Sequence, residues 1–389
     1  MSLKRNIIFI LLILYCSSLL AEQQLPLISI SASRTEIPIR EVAGALTVIS
    51  KQQIVNSHAV YVSELLQAVP GLNVSTQGSA GNLTQIRIRG AEANQVLVII
   101  DGVEANDPAA SSEFNFAHLT TENIERIEIL RGPQSALWGS DALAGVINIT
   151  TRQADKRNQL AIKNSYGSEN TYQGGITALT KSDKYNFVIS GNFLDTDGFN
   201  IATSGQERDG YDNATLNIKT DYKVNDSVKF GASARYTNAT NEFDPALGIP
   251  VDGFGEIDTE QFYSRIFSQI YTFSDAWNHI FEASLVDTSN DTADGFFGNS
   301  KTEATKEKFA YQSTLMLPSF DPFPIRQSLT FAFEREQERF KQQGASFPGF
   351  DPNQRQKITN YGKIAEYRAN IQNNWTLSGS FRHDNVQLF

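Results

Sequence analysis

Acidic side chains crowd two short stretches, DTDGFN (195–200) and ERDGYDN (207–213), which supply Asp195, Asp197, Glu207, Asp209 and Asp212. Carboxylates on glycine-bearing loops offer the hard oxygens that a calcium ion gathers from flexible segments. Runs of this kind more often serve simply as solvated loops, so calcium is the second reading here. Other chemistry is scarce. The four histidines, His58, His118, His279 and His383, have no partner at metal-ligand spacing. No GxSxG, HExxH or Walker pattern occurs, and GPQSALWGS (132–140) lacks the lysine that a phosphate-gripping loop needs. The expectation is a protein that is not an enzyme and requires no cofactor, with loop calcium as the one metal to look for.

The 389 residues suggest two domains or more, and the formal charge of −10 argues against a nucleic-acid partner. Twenty-five Phe and thirteen Tyr against two Met favour β structure over a helical bundle. Lys4 and Arg5 followed by the apolar run 7–15 read as a signal peptide over 1–21, too short to span a membrane. Cleavage is expected after Ala21, with Ser18 as the rival site, and Tyr15 before Cys16 speaks against a lipid anchor there. Loss of the leader removes Cys16, the single cysteine, so the exported chain has no disulfide. No later apolar run is long enough for a transmembrane helix, which leaves strands as the only way across.

The remainder changes character partway along. Residues 22–35 form an arm. Residues 36–152 mix helices with strands: Ser50–Gln53 has capping-box spacing, SELLQAV (63–69) reads as a helix stopped by Pro70-Gly71, and TQIRIRG (84–90) and QVLVIIDGV (95–103) read as strands. This is a compact α+β unit. From about 157 helical signals stop, and eleven strand-like segments follow. Short connections near 181–183, 224–226, 273–276, 318–324 and 372–374 alternate with long ones near 196–210, 242–258, 291–302 and 342–355. The short connection at 167–170 is an exception among the long ones. Tyr185, Phe187, Ile189 and Phe193 share one face, as do Val228, Phe230, Ala232, Ala234 and Tyr236, and Leu329, Phe331 and Phe333. Apolar-out, polar-in strands with turns on one side and loops on the other fit an antiparallel transmembrane β-barrel. A soluble sandwich is the rival, although its strands are usually shorter. The 263–273 segment alternates poorly.

Residues 130–149, LRGPQSALWGSDALAGVINI, are too apolar for a loop and too rich in glycine for an ordinary strand. A plug packed within a pore would explain them, with Gly132, Gly139 and Gly145 letting the backbone approach a curved wall. IERIEILRGPQSALWGSDALAGVINITTR (124–152), PGLNV (70–74), IRIRG (86–90) and LVIIDGVEANDP (97–108) resemble, in order and spacing, the plug of TonB-dependent outer-membrane receptors. DTDGFN, ERDGYDN and FRHDN (381–385) resemble the cobalamin-transporter branch of that family.

The resemblance carries expectations. The fold would be an α+β plug domain (36–152) followed by an antiparallel transmembrane β-barrel in the outer membrane, in contact with its lipid. Leu27, Ile28, Ser29, Ile30, Ser31 and Ala32 would be the Ton box, an edge strand that adds to a sheet of TonB and its inner-membrane energising complex. Arg89 and Arg131 would lock the plug to barrel glutamates. Gly78, Asn82, Ala91, Asn94, Asn106, Asp107 and Ser111, on three apical loops, would touch ligand. Cobalamin would be the substrate, with a ferric siderophore as the alternative. The family closes barrels of about 22 strands, roughly 44 Å wide, whereas about twelve strands give roughly 24 Å, too narrow for a plug about 34 Å across. Residues 153–389 are therefore expected to be the N-terminal half of a barrel, the chain truncated and lacking the lock's glutamates. A non-functional fragment is the corresponding alternative.

Overall fold

The computed structural model describes residues 28–29, 33–155, 157–202, 207–244, 253–295, 298–319, 325–346, 349, 351–372 and 375–388. The signal peptide lies outside them, as do Leu27, Ile30, Ser31 and Ala32.

The arm enters through two paired dipeptide strands, β1 (Ile28–Ser29) and β2 (Ile37–Pro38). Strand β3 (Ala45–Ser50) then runs into helix α1 (Lys51–Ser57). The Ser50 hydroxyl accepts from the Gln53 amide at 3.4 Å while the Gln53 side chain accepts from the Ser50 amide at 2.9 Å. This is the reciprocal cap that the spacing foretold. Helix α2 (Val62–Gln67) starts a residue before SELLQAV, with Tyr61 as its cap residue, and buries Val62, Leu65 and Leu66. Hairpin β4 (Leu72–Thr76) and β5 (Thr84–Ile88) follows, then β6 (Val96–Ile100), β7 (Val103–Glu104), β8 (Ile124–Arg131), the single-turn helix α3 (Ser135–Trp138) and β9 (Gly145–Thr151).

A five-stranded sheet ordered β3-β8-β9-β6-β7 organises this domain, with β6 and β9 parallel and the other pairs antiparallel. Strand β6 is buried on both faces, as its unbroken apolar run requires. Ile86, Ile88, Ile127, Ile129, Ile147 and Ile149 form one core with Leu66 and Phe116.

Eleven strands make the second part: β10 (Gln159–Tyr166), β11 (Tyr172–Lys181), β12 (Tyr185–Phe199), β13 (Asp209–Asn225), β14 (Val228–Phe243), β15 (Gly255–Thr272), β16 (Trp277–Asp294), β17 (Ser300–Leu317), β18 (Ile325–Gly344), β19 (Gln354–Ile371) and β20 (Trp375–Leu388). They pair in sequence order as one antiparallel sheet, the wall. Along β12, Val188, Ser190, Asn192 and Leu194 are buried while Tyr185, Phe187 and Phe193 are exposed. The apolar side chains thus point away from the α+β domain, as the alternation demanded. Within the poorly alternating 263–273 segment, Tyr263 faces inward and joins the plug core, whereas Ile266 faces out at 63% exposure.

The three glycines of the 130–149 stretch divide. A β-carbon on Gly139, whose φ is 94°, would lie 3.4 Å from the Arg382 guanidinium of the wall, so this glycine does permit close approach. A β-carbon on Gly145 would instead strike the Leu130 carbonyl inside the plug, and Gly132 lies beside Arg89. Two of the three serve packing within the plug, contrary to the expectation that all three meet the wall.

Candidate functional site: the plug–wall seam

The start of the plug is fastened to the wall. The Ser33 hydroxyl donates to Glu366 at 3.0 Å, and Gln312 donates to the Arg34 carbonyl at 2.9 Å. The Arg34 guanidinium pairs with Glu334 at 2.5 Å, donates to the Leu137 carbonyl of α3 at 2.9 Å and lies over the Trp138 ring at 4.9 Å. One side chain therefore ties the arm, the glycine-rich segment and β18 together. Glu334 also meets Arg382 at 3.0 Å and Lys308 at 3.3 Å, and Lys308 continues to Glu104 at 2.6 Å. Arg34 and Glu334 are only 6% and 3% exposed, a burial that charge tolerates when each member is paired. Lower on the wall, Arg326 meets Glu41 at 2.6 Å and Arg368 donates to the Glu41 carbonyl at 2.7 Å. Asp101, steadied by the Thr151 amide at 3.1 Å, pairs with Lys219 at 2.5 Å.

Towards the long-loop side, hydrogen bonds supplement the ion pairs, of which Lys306–Glu338 at 3.7 Å is one. Asp107 accepts from the Ala109 amide at 2.8 Å and from the Thr288 hydroxyl at 3.0 Å. The Tyr211 hydroxyl lies 3.0 Å from His118 Nδ1, 2.9 Å from Asn213 Nδ2 and 3.3 Å from the Ala117 carbonyl. A hydrogen on His118 Nδ1 satisfies this arrangement: the hydroxyl accepts twice and donates once. Gly81 gives Tyr211 its seat, because a β-carbon there would collide with the ring. Asn241 donates to Asn82 at 3.4 Å.

Burial sets the ionisation of the plug's side of the seam. It depresses His118 to about 4, so the imidazole is neutral near pH 7. It also raises Asp107, against the opposing pull of the Ala109 amide and the Thr288 hydroxyl, and it raises Asp141. For Glu104, burial works in the same direction, but Lys308 and Lys306 outweigh it and hold the carboxyl below its ordinary value.

The expected site residues fare unevenly. Ile28 and Ser29 lie in β1, paired with Pro38 and Ile37. Arg131 spends its guanidinium within the plug, on the Ala45 carbonyl at 3.2 Å, the Thr47 hydroxyl at 2.9 Å and the Pro70 carbonyl. Arg89, in left-handed backbone with φ 53°, sits beside Gly71 and Gly132. Neither arginine has a carboxylate within 4.0 Å among the described residues, and the locking pairs seen there are those of Arg34, Asp101, Glu104, Glu41 and Glu122, the last meeting Lys163 of β10 at 2.6 Å. Gly78 and Ser111 are exposed, and Asn82 is half-buried. Ala91 and Asn94 are half-buried too, but follow the other end of the β4–β5 hairpin, ~17 Å of strand away from Asn82. Asn106 is wholly buried and bonds to Val98, Val96 and Ser112 backbone, so its reading as a ligand contact gives way to a structural one. Asp107 is 8% exposed and already holds the wall.

Of the five loop acids, Asp195 and Asp212 are opposed on the outer face, and Asp197 lies 3.9 Å from Arg208. Glu207 and Asp209 do converge, with Asp244, each giving an oxygen within 4.8 Å of the others. Asp244 Oδ1 accepts from the Gly253 amide at 3.0 Å, and its buried Oδ2 has no hydrogen-bond partner. An orphaned buried carboxylate oxygen beside two more carboxylates suits a hard divalent cation. Asp244 lies in NEFD (241–244), thirty-odd positions beyond the acidic stretches, where only the pairing of β13 with β14 brings it close.

Comparison with known proteins agrees with this architecture. Residues 38–146 match the model of the TonB-dependent Receptor Plug Domain. Over 217 residues the chain is 34% identical to the Vitamin B12 transporter BtuB of Vibrio vulnificus (strain CMCP6), covering 55% of this chain and 36% of that relative. Among solved structures it superposes on the siderophore receptor PirA from Acinetobacter baumannii with TM-score 0.70 and 17% identity, covering 88% of this chain and 56% of that one. It also superposes on P. aeruginosa FpvA bound to a heterologous pyoverdine, with TM-score 0.73 and 13% identity over 93% of this chain and 54% of that one. The chain thus spans little more than a third of the curated relative and just over half of these solved receptors.

Proposed function

The chain carries a TonB-dependent receptor plug domain packed on the barrel wall of that fold, and from this premise we propose that it works as an outer-membrane receptor importing cobalamin by TonB-driven rearrangement of the plug. The observation that supports this most directly is the latch at Ser33 and Arg34. It follows immediately on residues 27–32, the Ton box of this reading, so tension on the arm would load Glu334, Glu366 and the Leu137 carbonyl before any other plug contact. Residues 1–21 would direct export. TonB and its inner-membrane energising complex would take residues 27–32 as an added edge strand, breaking the short β1–β2 pairing.

The 34% identity to the B12 transporter over 217 residues supports cobalamin over a ferric siderophore. Gly78, Asn82 and Ser111 are the accessible ligand contacts of this reading, and Arg89 and Arg131 remain its candidates for a second lock. Calcium fits Glu207, Asp209 and Asp244, where it would join β13 to the turn after β14 and order the loop side of the wall.

The test is equilibrium binding of cyanocobalamin and of a ferric catecholate siderophore to the purified protein, with and without calcium. Binding of cyanocobalamin alone, strengthened by calcium in the wild type but not in Asp244→Asn, is the expected result. Siderophore binding with no cobalamin binding would replace the substrate assignment.

A further inference from the structure

Beneath the Asp101–Gly102 turn of the plug, the inner face of β13–β15 gathers more positive charge than negative. Register sets Asn217 and Tyr263 on either side of Arg235, and Lys219 and Arg265 on either side of Ser233. Lys219 pairs with Asp101 at 2.5 Å, and Arg265 pairs with Glu282 at 2.5 Å. Arg235 is 7% exposed and has no carboxylate within 4.0 Å among the described residues. Its one hydrogen bond there runs from Nη1 to the Asn217 side-chain oxygen at 3.0 Å. The acids of the neighbourhood are engaged elsewhere. Both Asp101 oxygens accept from Lys219 or Thr151, and Asp107 accepts from the Ala109 amide and the Thr288 hydroxyl. Lys229 and Asp221, towards the short turns, meet at 3.4 Å and cancel. Three largely enclosed cations thus face two carboxylates, and the charge left over is that of Arg235.

A cavity with room for one water-sized group lies at this spot, its polar lining made by Asp101, Thr151, Asn217, Ser233, Arg235 and Tyr263. Asn217 spends its amide on Ser190 at 3.4 Å. The Ser233 and Tyr263 hydroxyls have no hydrogen-bond partner among the described residues, and Arg235 has further N–H groups to give. What remains unused on the lining therefore donates. A neutral water would satisfy these donors but leave the guanidinium charge unbalanced, which is costly in an enclosed site. Arg265 adds to the same enclosure. Its Nε is buried without a partner, and its guanidinium lies so close under the turn that a β-carbon on Gly102 would be 2.8 Å from it.

We propose that this cavity binds a small monovalent anion of the halide class, chloride in ordinary surroundings. Arg235 supplies the charge, the Ser233 and Tyr263 hydroxyls donate to the ion, and the Asp101–Gly102 turn closes over it. Asp101 does not oppose this, because Lys219 already neutralises it. Size selects the class: a halide is little larger than a water, whereas phosphate, sulfate and organic carboxylates exceed the space. The ion would touch both bodies at once, β14 and β15 from the wall and the turn from the plug. It would fasten this flank of the plug by completing the charge balance, and leave when the turn lifts. The inference rests on the seam alone and not on the identity of the imported ligand.

Crystals of the full chain soaked in bromide give the direct readout, because bromine scatters anomalously. A peak beside Arg235 is expected, and its absence overturns the proposal without recourse to any variant. Thermal unfolding in mild detergent gives the second readout. At constant ionic strength, replacing gluconate by chloride or bromide should raise the midpoint until the site is full. Tyr263→Phe removes one donor and should raise the half-saturating halide concentration by about 5-fold. Arg235→Gln should abolish the rise, whereas Lys229→Gln, which alters the neighbouring pair on the same face, should keep it. A rise that survives in Arg235→Gln, or a half-point unmoved in Tyr263→Phe, overturns the proposal. If Arg235→Gln does not fold, the bromide peak and Tyr263→Phe decide.

Discussion

The plug and the wall are built inside out with respect to one another. In the plug, Ile127, Ile129, Ile147 and Ile149 have no exposure, whereas in the wall Phe309 and Phe331 are more than half exposed and Glu334 and Lys308 are enclosed. Each arrangement suits a different medium: apolar groups turned inward suit a domain in water, and apolar groups turned outward suit a sheet against lipid. Where the two meet, both present mainly polar groups. The seam consequently specifies position through paired charges and directed hydrogen bonds, and water can take the place of each bond that opens.

The largest effect expected of this contrast comes from Glu334→Ala, which leaves Arg34 without its carboxylate in an enclosed site and takes one of two from Lys308 and from Arg382. Removing one member of a buried network costs about 3–5 kcal/mol. A denaturant midpoint should fall accordingly, and the bond after Arg34 should become a fast tryptic site. An unchanged midpoint and an uncut arm would mean that the seam does not hold the plug.

His118 sharpens the comparison through pH. Its folded value of about 4 lies below the ordinary 6.5, so the unfolded chain takes up the proton first. Stability is therefore full above 6.5, is lost as pH falls towards 4 and changes no further below it. The full window corresponds to about 3 kcal/mol. His118→Gln should flatten the slope of stability against pH over that range, and an equal slope in both proteins would show that the imidazole is solvated. Lys51→Ala, which breaks a half-exposed pair with Glu125 on the plug surface, should shift the midpoint by less than about 1 kcal/mol. A larger shift would erase the distinction between seam and surface.

Much of the fold was legible in the residues because it depends on local signals. The Ser50 cap, the unbroken apolar run of β6 and the period-two faces of β12, β14 and β18 each require only neighbours in sequence. The site was less legible because its partners are distant. Arg34 and Glu334 are 300 positions apart and carry no mark beyond being charged. Asn106 looks like a loop residue in ANDP (105–108), yet its amide satisfies β-strand backbone. Arg131, expected to reach outward, folds back onto Thr47 and Pro70. In each case residue type was informative and direction was not, since direction depends on which strand passes nearby.

Tyr263 and Val286, on neighbouring strands of the wall, belong to the plug's own dry core. Separating them from it would wet two large side chains at about 1.5–3 kcal/mol each, a toll that the hydrogen-bonded contacts elsewhere do not impose. Leu194, Tyr211 and Ala239 of β12–β14 likewise pack on Val60, Tyr61 and Ala80 of the plug, so the cheapest displacement is a swing and not a withdrawal: β12–β16 act as the door-post, and the edge bearing Arg34 and α3 is the one that opens.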